Sequence, residues 1–398
     1  MRRAPLVLLA LGLSCGLCAA GPGTPVDRLS VLRESEQPGF ERADSPRHFE
    51  FPLDHGPHPA FRHEWWYLTG HLRADDGESF GFELTFFRLG LAPPAAAAPA
   101  NGTSAWRTRQ VYAAHFAITD VGRGRFFNAT RYARDALGLG RAQAQPFAVQ
   151  VADWSLLQAP AAIAPGPAGL HWQLQAADDD YGLQLDLRAD QAPVLNGDAG
   201  LSRKADARGA ASYYYSMPRL QASGQLRRQG ASLPVSGVAW LDREWGSGSL
   251  GAQSQGWDWF ALDLTDGSTL MFYALRNQDG RRDVHSAGTF VDAAGHATAL
   301  ANDDVAIEVL RHWDSPRGGK YPAQWKLTVR SLRLQLQLTP QLADQELATQ
   351  PRYWEGLVNA TGQRGAATVS AQGYVELVGY AQTQASPIVP NATAPPNH

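Results

Sequence analysis

Hydrophobic and polar residues alternate along most of this chain. Leu183, Leu185 and Leu187 are separated by Gln184 and Asp186; Leu332, Leu334, Leu336 and Leu338 by Arg333, Gln335 and Gln337. A period of two with a polar opposite face marks half-buried antiparallel strands. Such runs begin at His63 and continue to about Tyr380, and no stretch longer than about twelve residues carries a helical stripe. Residues 21–60 are Pro-rich and read as an irregular N-terminal arm, 91–105 as a loop, and 383–398 as a polar tail. A Gly- and Ser-rich seam, GSGSLGAQSQG at 246–256, has linker composition. The pattern predicts an all-β protein of two units, 61–247 and 257–382, joined by a linker at 248–256. Each unit has the size of an antiparallel barrel or sandwich.

The two units read as copies of one another. Trp65-x-Tyr67, the Asp76-Gly77 turn and Phe82 parallel Trp257-x-Trp259, Asp266-Gly267 and Phe272. Trp172, Leu174, Leu183 and Leu185 fall 153 residues before Trp325, Leu327, Leu336 and Leu338, and Tyr214 parallels Tyr353. The order is the same each time, as expected of a duplicated β unit whose second copy has shorter loops.

Composition narrows the function. Charged residues make up only 18% of the 398 residues, and 12 Trp, 12 Tyr and 15 Phe supply an aromatic core, which excludes a disordered chain. The formal net charge of −3 and the lack of any basic run argue against a nucleic-acid partner. Residues 1–20 combine Arg2 and Arg3, an apolar stretch over 6–17, and Cys18-Ala19-Ala20 before Gly21. This is the pattern of a cleaved secretory signal, so the protein is expected to be exported, periplasmic or secreted. No later run reaches the length of a transmembrane span. Both cysteines, Cys15 and Cys18, lie in the leader, so the mature chain is expected to lack disulfides and thiol chemistry. Lipid attachment at Cys15 is the lesser alternative, since Gly12 stands where such signals usually carry leucine.

Three clusters carry candidate chemistry. In the first, HEWWYLTGHL at 63–72, a strand puts Glu64, Trp66, Leu68 and Leu72 on one face and Trp65, Tyr67, Thr69 and His71 on the other. Glu64 among apolar neighbours reads either as a general acid with a raised pKa or as a structural carboxylate tying an arginine or backbone amides. A zinc helix is rejected, because Tyr67 stands where a second histidine would be required. In the second, WLDREWG at 240–246, Asp242 and Glu244 share the face of Trp240, close enough for one to hold a proton near neutral pH. Arg243 points to the other face, toward another carboxylate or across the seam. The pair reads evenly as an acid/base couple or as part of an interdomain salt-bridge network. In the third, Glu355 follows Tyr353-Trp354, and Glu376, among Tyr374 and Tyr380, is expected to repeat the Glu64 theme in the second unit. Trp257 and Trp259 read as core, some of it lining a pocket. There is no G-x-S-x-G elbow, no phosphate loop, no dinucleotide fingerprint and no metal-ligand spacing; neither a cofactor nor a metal is expected.

HEWWYLTGHL at 63–72, WLDREWGS at 240–247, GWDWFALDLTDGSTLMFYALR at 256–276, YWEGLVNATG at 353–362 and GYVELVGY at 373–380 resemble the AttH/CrtC-like family of exported two-domain proteins. The resemblance implies two lipocalin-like β-barrels packed side by side. It implies relatives among carotenoid hydratases, predicted hydrolases and, distantly, fungal Diels–Alder cyclases. It also implies an apolar, polyene- or lipid-like ligand, and a link to envelope transporter complexes. Carried over by position, Glu64, Trp65 and Trp66 match the first motif, Asp242, Arg243 and Glu244 the second, Glu355 and Glu376 the third. The candidate catalytic residues are Asp242, Glu244 and Glu64. Trp65, Trp66, Trp240, Arg243, Trp245, Trp257, Trp259, Trp354, Glu355 and Glu376 are the candidate ligand contacts. Three functions follow: a carrier of an apolar molecule, a cofactor-free hydratase, isomerase or hydrolase, or a non-catalytic envelope scaffold.

Overall fold

The computed structural model describes residues 32, 38–94, 108–160, 169–248, 250–349 and 351–381. The leader, the tail, and most of the 91–105 loop lie outside the described residues. What is described is almost entirely antiparallel strand, in two curled sheets. Among the described residues no helix is long and apolar enough to cross a membrane.

The first sheet has thirteen strands. Along its path they are Arg125–Arg134 (β4), Gln110–Asp120 (β3), Ser79–Gly90 (β2), His63–Ala74 (β1), Ala231–Gly246 (β13), Ala211–Arg228 (β12), Tyr181–Arg188 (β9), His171–Ala177 (β8), Trp154–Gln158 (β7), Ala148–Val151 (β6) and Gly140–Gln143 (β5). Val194–Leu195 (β10) and Leu201–Arg203 (β11) pair with β12. The second sheet has ten strands: Ala297–Leu300 (β17), Ala287–Val291 (β16), Thr269–Asn277 (β15), Ser254–Leu264 (β14), Ala367–Val378 (β23), Tyr353–Arg364 (β22), Leu334–Pro340 (β20), Lys320–Val329 (β19) and Val305–Asp314 (β18), with Glu346–Leu347 (β21) on β22. In both sheets the opening strand joins a four-strand meander to the closing strand. The β1–β2 and β14–β15 hairpins turn on Asp76-Gly77 and Asp266-Gly267. In each, the glycine has positive φ and the aspartate accepts the amide two residues on, at 3.0 Å.

The ends of the first sheet curl back on each other. Arg131 of β4 lies over Trp154 and bonds Asp153 and Asp178 at 3.1 and 3.0 Å, and Gly140 lies against Tyr112 and Ala133. Alternation fills the inside with Trp66, Phe82, Phe116, Trp154, Trp172 and Trp245, and the inside of the second sheet with Phe260, Phe272, Trp325 and Trp354. The arm contributes to the first interior rather than trailing from it. Ala43 and Phe49 are core residues, His55 Nδ1 is 2.6 Å from the Tyr215 hydroxyl, and the Trp66 indole donates to the His55 carbonyl at 2.8 Å. The two sheets meet through their remaining faces. Tyr67 packs edge-on against Trp259, Thr119 donates to Gln345 at 2.8 Å, and Ser202 bonds Tyr273 at 2.8 Å. Gly81 lets the sheets approach, since a Cβ there would collide with the Tyr374 hydroxyl.

An ion triad anchors the arm. Glu64, fully buried, is bonded by Arg88 on one oxygen and Arg243 on the other. The arginines also bond arm carbonyls: Arg88 those of His58 and Phe61 at 2.9 and 2.8 Å, and Arg243 that of Gly56. The Arg243 guanidinium is stacked 3.9 Å from the Trp66 ring, and His58 stacks on Trp245 at 3.8 Å. Burial alone would raise the Glu64 pKa, but the two guanidinium groups overcome it and hold the carboxyl well below its usual value of 4.5. Removing one member of such a network leaves uncompensated buried charge. Glu64→Gln is therefore expected to cost about 3–5 kcal/mol in urea unfolding at pH 7. Because the folded pKa is the lower one, the contribution is whole above pH 4.5 and fades as the pH falls toward the folded value. A loss below about 1 kcal/mol would mean that the triad anchors nothing.

Candidate functional site

A cavity of about 790 Å³ lies between the two sheets, not inside either barrel. Phe87, Leu89, Val111, Ala113 and Ala133, on β2 to β4, make its apolar end. Trp65 and Tyr67 of β1, Leu250, and Trp257, Trp259, Tyr273 and Leu275 of the second sheet line the middle. Asp242 and Glu244 of β13, Tyr214 of β12 and Lys204 make its polar end, and Glu376 of β23 faces it from the second sheet. Such a volume suits a drug-sized ligand, and apolar walls with a few convergent polar groups are the usual composition of a ligand site.

Period-two alternation decides which candidates reach this space. On β13, Trp240, Asp242 and Glu244 face the second sheet, whereas Arg243 and Trp245 face the first barrel's interior. On β1, Trp65 and Tyr67 face the cavity and Trp66 faces the barrel core. Thus Asp242, Glu244, Trp65, Trp257, Trp259 and Glu376 line the cavity, and Glu64 touches its edge while paired with its arginines. Trp66, Arg243, Trp245 and Trp354 are packed in barrel cores and do not line it. Trp240 stands behind the wall and donates its indole N–H to Asp242 at 2.6 Å. Glu355 lies behind Tyr67, which donates to it at 2.7 Å.

The acids differ in electrostatics. Asp242 accepts Ser216 Oγ at 2.6 Å, the Tyr214 hydroxyl and the Trp240 indole. Burial raises its pKa more than these donors lower it, and it reaches about 6. Glu376 accepts the Trp257 indole at 2.6 Å; burial, with Asp242 and Glu244 nearby, pushes it up to about 7. Glu244 accepts Ser212 and lies 3.5 Å from Lys204 Nζ. Burial disfavours the charge on Lys204, but Glu244 and Tyr273 hold its pKa above the ordinary value, and its ammonium sits 3.6 Å from the Tyr273 ring centre. Behind Tyr67, burial raises Glu83 and Glu355 well above 4.5; the Glu376 carboxylate adds to both, and Glu83 adds to Glu355.

Strand register corrects one sequence expectation. Trp259 pairs with Glu376 as Tyr67 pairs with Asp242, and Tyr353 pairs with Val378 as Tyr214 pairs with Glu244. Glu376 therefore stands where Asp242 stands in the first sheet, and it does not repeat Glu64. The raised pKa considered for Glu64 is also reversed, by two arginines that no local pattern locates. Sequence reasoning did not nominate Tyr214, Lys204 or Glu83 for the site. Glu83 had a visible signal, a carboxylate inside the apolar run FGFELTFF. Tyr214 sits in the run Tyr213-Tyr214-Tyr215, where only strand parity distinguishes the cavity-facing ring. Among the described residues, no group of three His, Cys, Asp or Glu is arranged to hold a metal ion.

Two curled antiparallel sheets enclosing an aromatic, acid-bearing cavity define a two-barrel β protein. The chain belongs to the AttH-like family, whose profile matches residues 42–380. A structure from Nitrosomonas europaea, assigned as an AttH, is 34% identical with a TM-score of 0.72, over 84% of this chain and 99% of that one. Kievitone hydratase from Nectria haematococca shares the fold at 16% identity and a TM-score of 0.63, over 86% of this chain and 98% of that one. The comparison with curated proteins returned no match.

Carboxyl-carbon NMR is expected to find Asp242 and Glu376 titrating near pH 6 and 7. Asp242→Asn should remove the lower of the two resonances. Since both folded values are raised, the stability these groups contribute is whole below about pH 4 and is lost as the pH rises through 6 and then 7. If both carboxyls titrated near pH 4, the dry, acid-bearing wall described above would be wrong.

Proposed function

We propose that this protein binds an apolar, lipid- or polyene-like small molecule in the cavity between its two sheets. The observation that carries the reading is the cavity itself: about 790 Å³, with mostly aromatic and aliphatic walls and the Asp242, Glu244 and Lys204 cluster on one side. A soluble domain pays a stability cost for keeping so large an apolar space unfilled by its own side chains, and ligand uptake is the reason to retain it. The signal-like leader supports an exported carrier that receives or delivers its ligand at the envelope, with a transporter complex as the partner. Two sheets whose strand paths correspond over nine strands, with matched Tyr67/Trp259 and Asp242/Glu376 positions, support descent from one duplicated unit.

A second reading is favoured by Asp242. A carboxyl with a pKa near 6, hydrogen-bonded by two hydroxyls and an indole, is suited to give a proton to a bound alkene. Tryptophan faces beside it are suited to stabilise the resulting positive charge, and an ionised neighbour to orient water. This would be hydration or isomerisation without a cofactor, with Asp242 as acid and Glu244 or Glu376 as the second carboxylate; acid-assisted hydrolysis draws on the same groups.

Native mass spectrometry of the purified protein is expected to show a co-purifying apolar molecule. Ala113→Trp, which fills the apolar end, should abolish that adduct and weaken binding of an apolar fluorescent probe at least about tenfold, with the melting temperature little changed. Unaltered probe binding would place the ligand elsewhere. Incubation of a bound alkene in oxygen-18 water separates the two readings. Label incorporation that Asp242→Asn abolishes supports hydration, a shifted double bond without label supports isomerisation, and recovery of the unchanged alkene leaves carriage.

A further inference from the structure

The acids around the cavity are poorly matched by bases. Glu244 has Lys204, and Glu64 has its two arginines. Among the described residues, Asp242 and Glu376 have no ion pair: their partners are neutral O–H and N–H groups. Glu83 and Glu355, fully buried just behind Tyr67, likewise have no ion pair among the described residues. The other basic groups facing the cavity do not reach these four: Arg88 is committed to Glu64, and Arg134 is exposed on the rim. Positive charge is thus scarce where negative charge is concentrated, and the nearest surfaces are indole and phenol rings. Ring faces attract cations and give little to anions.

The distribution is also lopsided. Apolar side chains on β2 to β4 occupy one end, and Asp242 and Glu244 occupy the other, close enough to Glu376 to raise its affinity for protons. A wholly apolar ligand would leave Asp242 and Glu376 without a counter-charge, and an anionic one would be repelled by them. Resting on the reading that the cavity takes an apolar molecule, we propose that this molecule is a cationic amphiphile. Its amine or quaternary ammonium group seats between Asp242 and Glu376 against the Trp257 and Trp259 rings, and its chain runs toward Phe87 and Val111. The cation supplies the counter-charge that the chain's own residues do not, and it favours the ionised form of both carboxyls.

The test uses three probes with the same ten-carbon chain, each below its micelle concentration: decyltrimethylammonium, 1-decanol and decanoate. Binding to the purified full-length protein is followed by tryptophan fluorescence and calorimetry. The cation is expected to bind at least about tenfold more tightly than the alcohol, and the anion most weakly. Asp242→Asn and Glu376→Gln should each reduce the ratio of cation to decanol affinity toward one. The wild-type series decides the matter even where a variant fails to fold. Decanol or decanoate binding as tightly as the cation overturns the charge assignment and leaves the apolar cavity standing. Failure of all three to bind overturns the cavity reading and this proposal together.

Discussion

A carboxylate taken out of water between two guanidinium groups is the constraint on which the rest of the structure depends. Glu64 opens β1, Arg88 closes β2 and Arg243 lies near the end of β13, so one buried group ties three adjacent strands at the same end of the sheet. The same arginines bind the carbonyls of the arm, whose aromatic rings fill the barrel. Burial of this kind is costly unless every charge is paired and hydrogen-bonded, and here the pairing is complete on both carboxylate oxygens. The first barrel is thus packed in part by its own N-terminal segment. The cavity lies at the back of the same strands, where the second sheet covers it.

β13 shows how one strand serves both purposes. Leu241, Arg243 and Trp245 turn inward and hold the barrel; Trp240, Asp242 and Glu244 turn outward and form the acid end of the cavity. Rigid inward packing positions the outward acids, since a strand cannot rotate one face without the other. The second sheet answers with Glu376 at the matching position, held by Trp257 as Asp242 is held by Trp240. The two carboxyls thus face one space from two similar frames.

Much of this fold could be read before any coordinates. The Leu183–Leu187 and Leu334–Leu338 alternations form β9 and β20 with their leucines buried and their polar residues outward. The parity of Glu64 against Trp65, and of Asp242 against Arg243, is also as the sequence predicts, because it needs only a strand. What stayed hidden depends on long-range register. No local pattern says that Arg243 meets Glu64 179 positions away, that an apparently irregular arm becomes core, or that Glu376 pairs like Asp242. Tryptophan content was a poor guide to the site for the same reason. Trp66, Trp245 and Trp354 look like Trp65 and Trp257 in sequence, and a single step of parity sends them into solid barrel interiors.

A crystal structure of the protein with its co-purified ligand tests the account most directly. It should show ligand density between the sheets, with a polar or charged end within hydrogen-bonding or ion-pairing distance of Asp242 and Glu376 and the remainder along β2 to β4. Density inside the first barrel, with the arm displaced and the Glu64 triad broken, would contradict it.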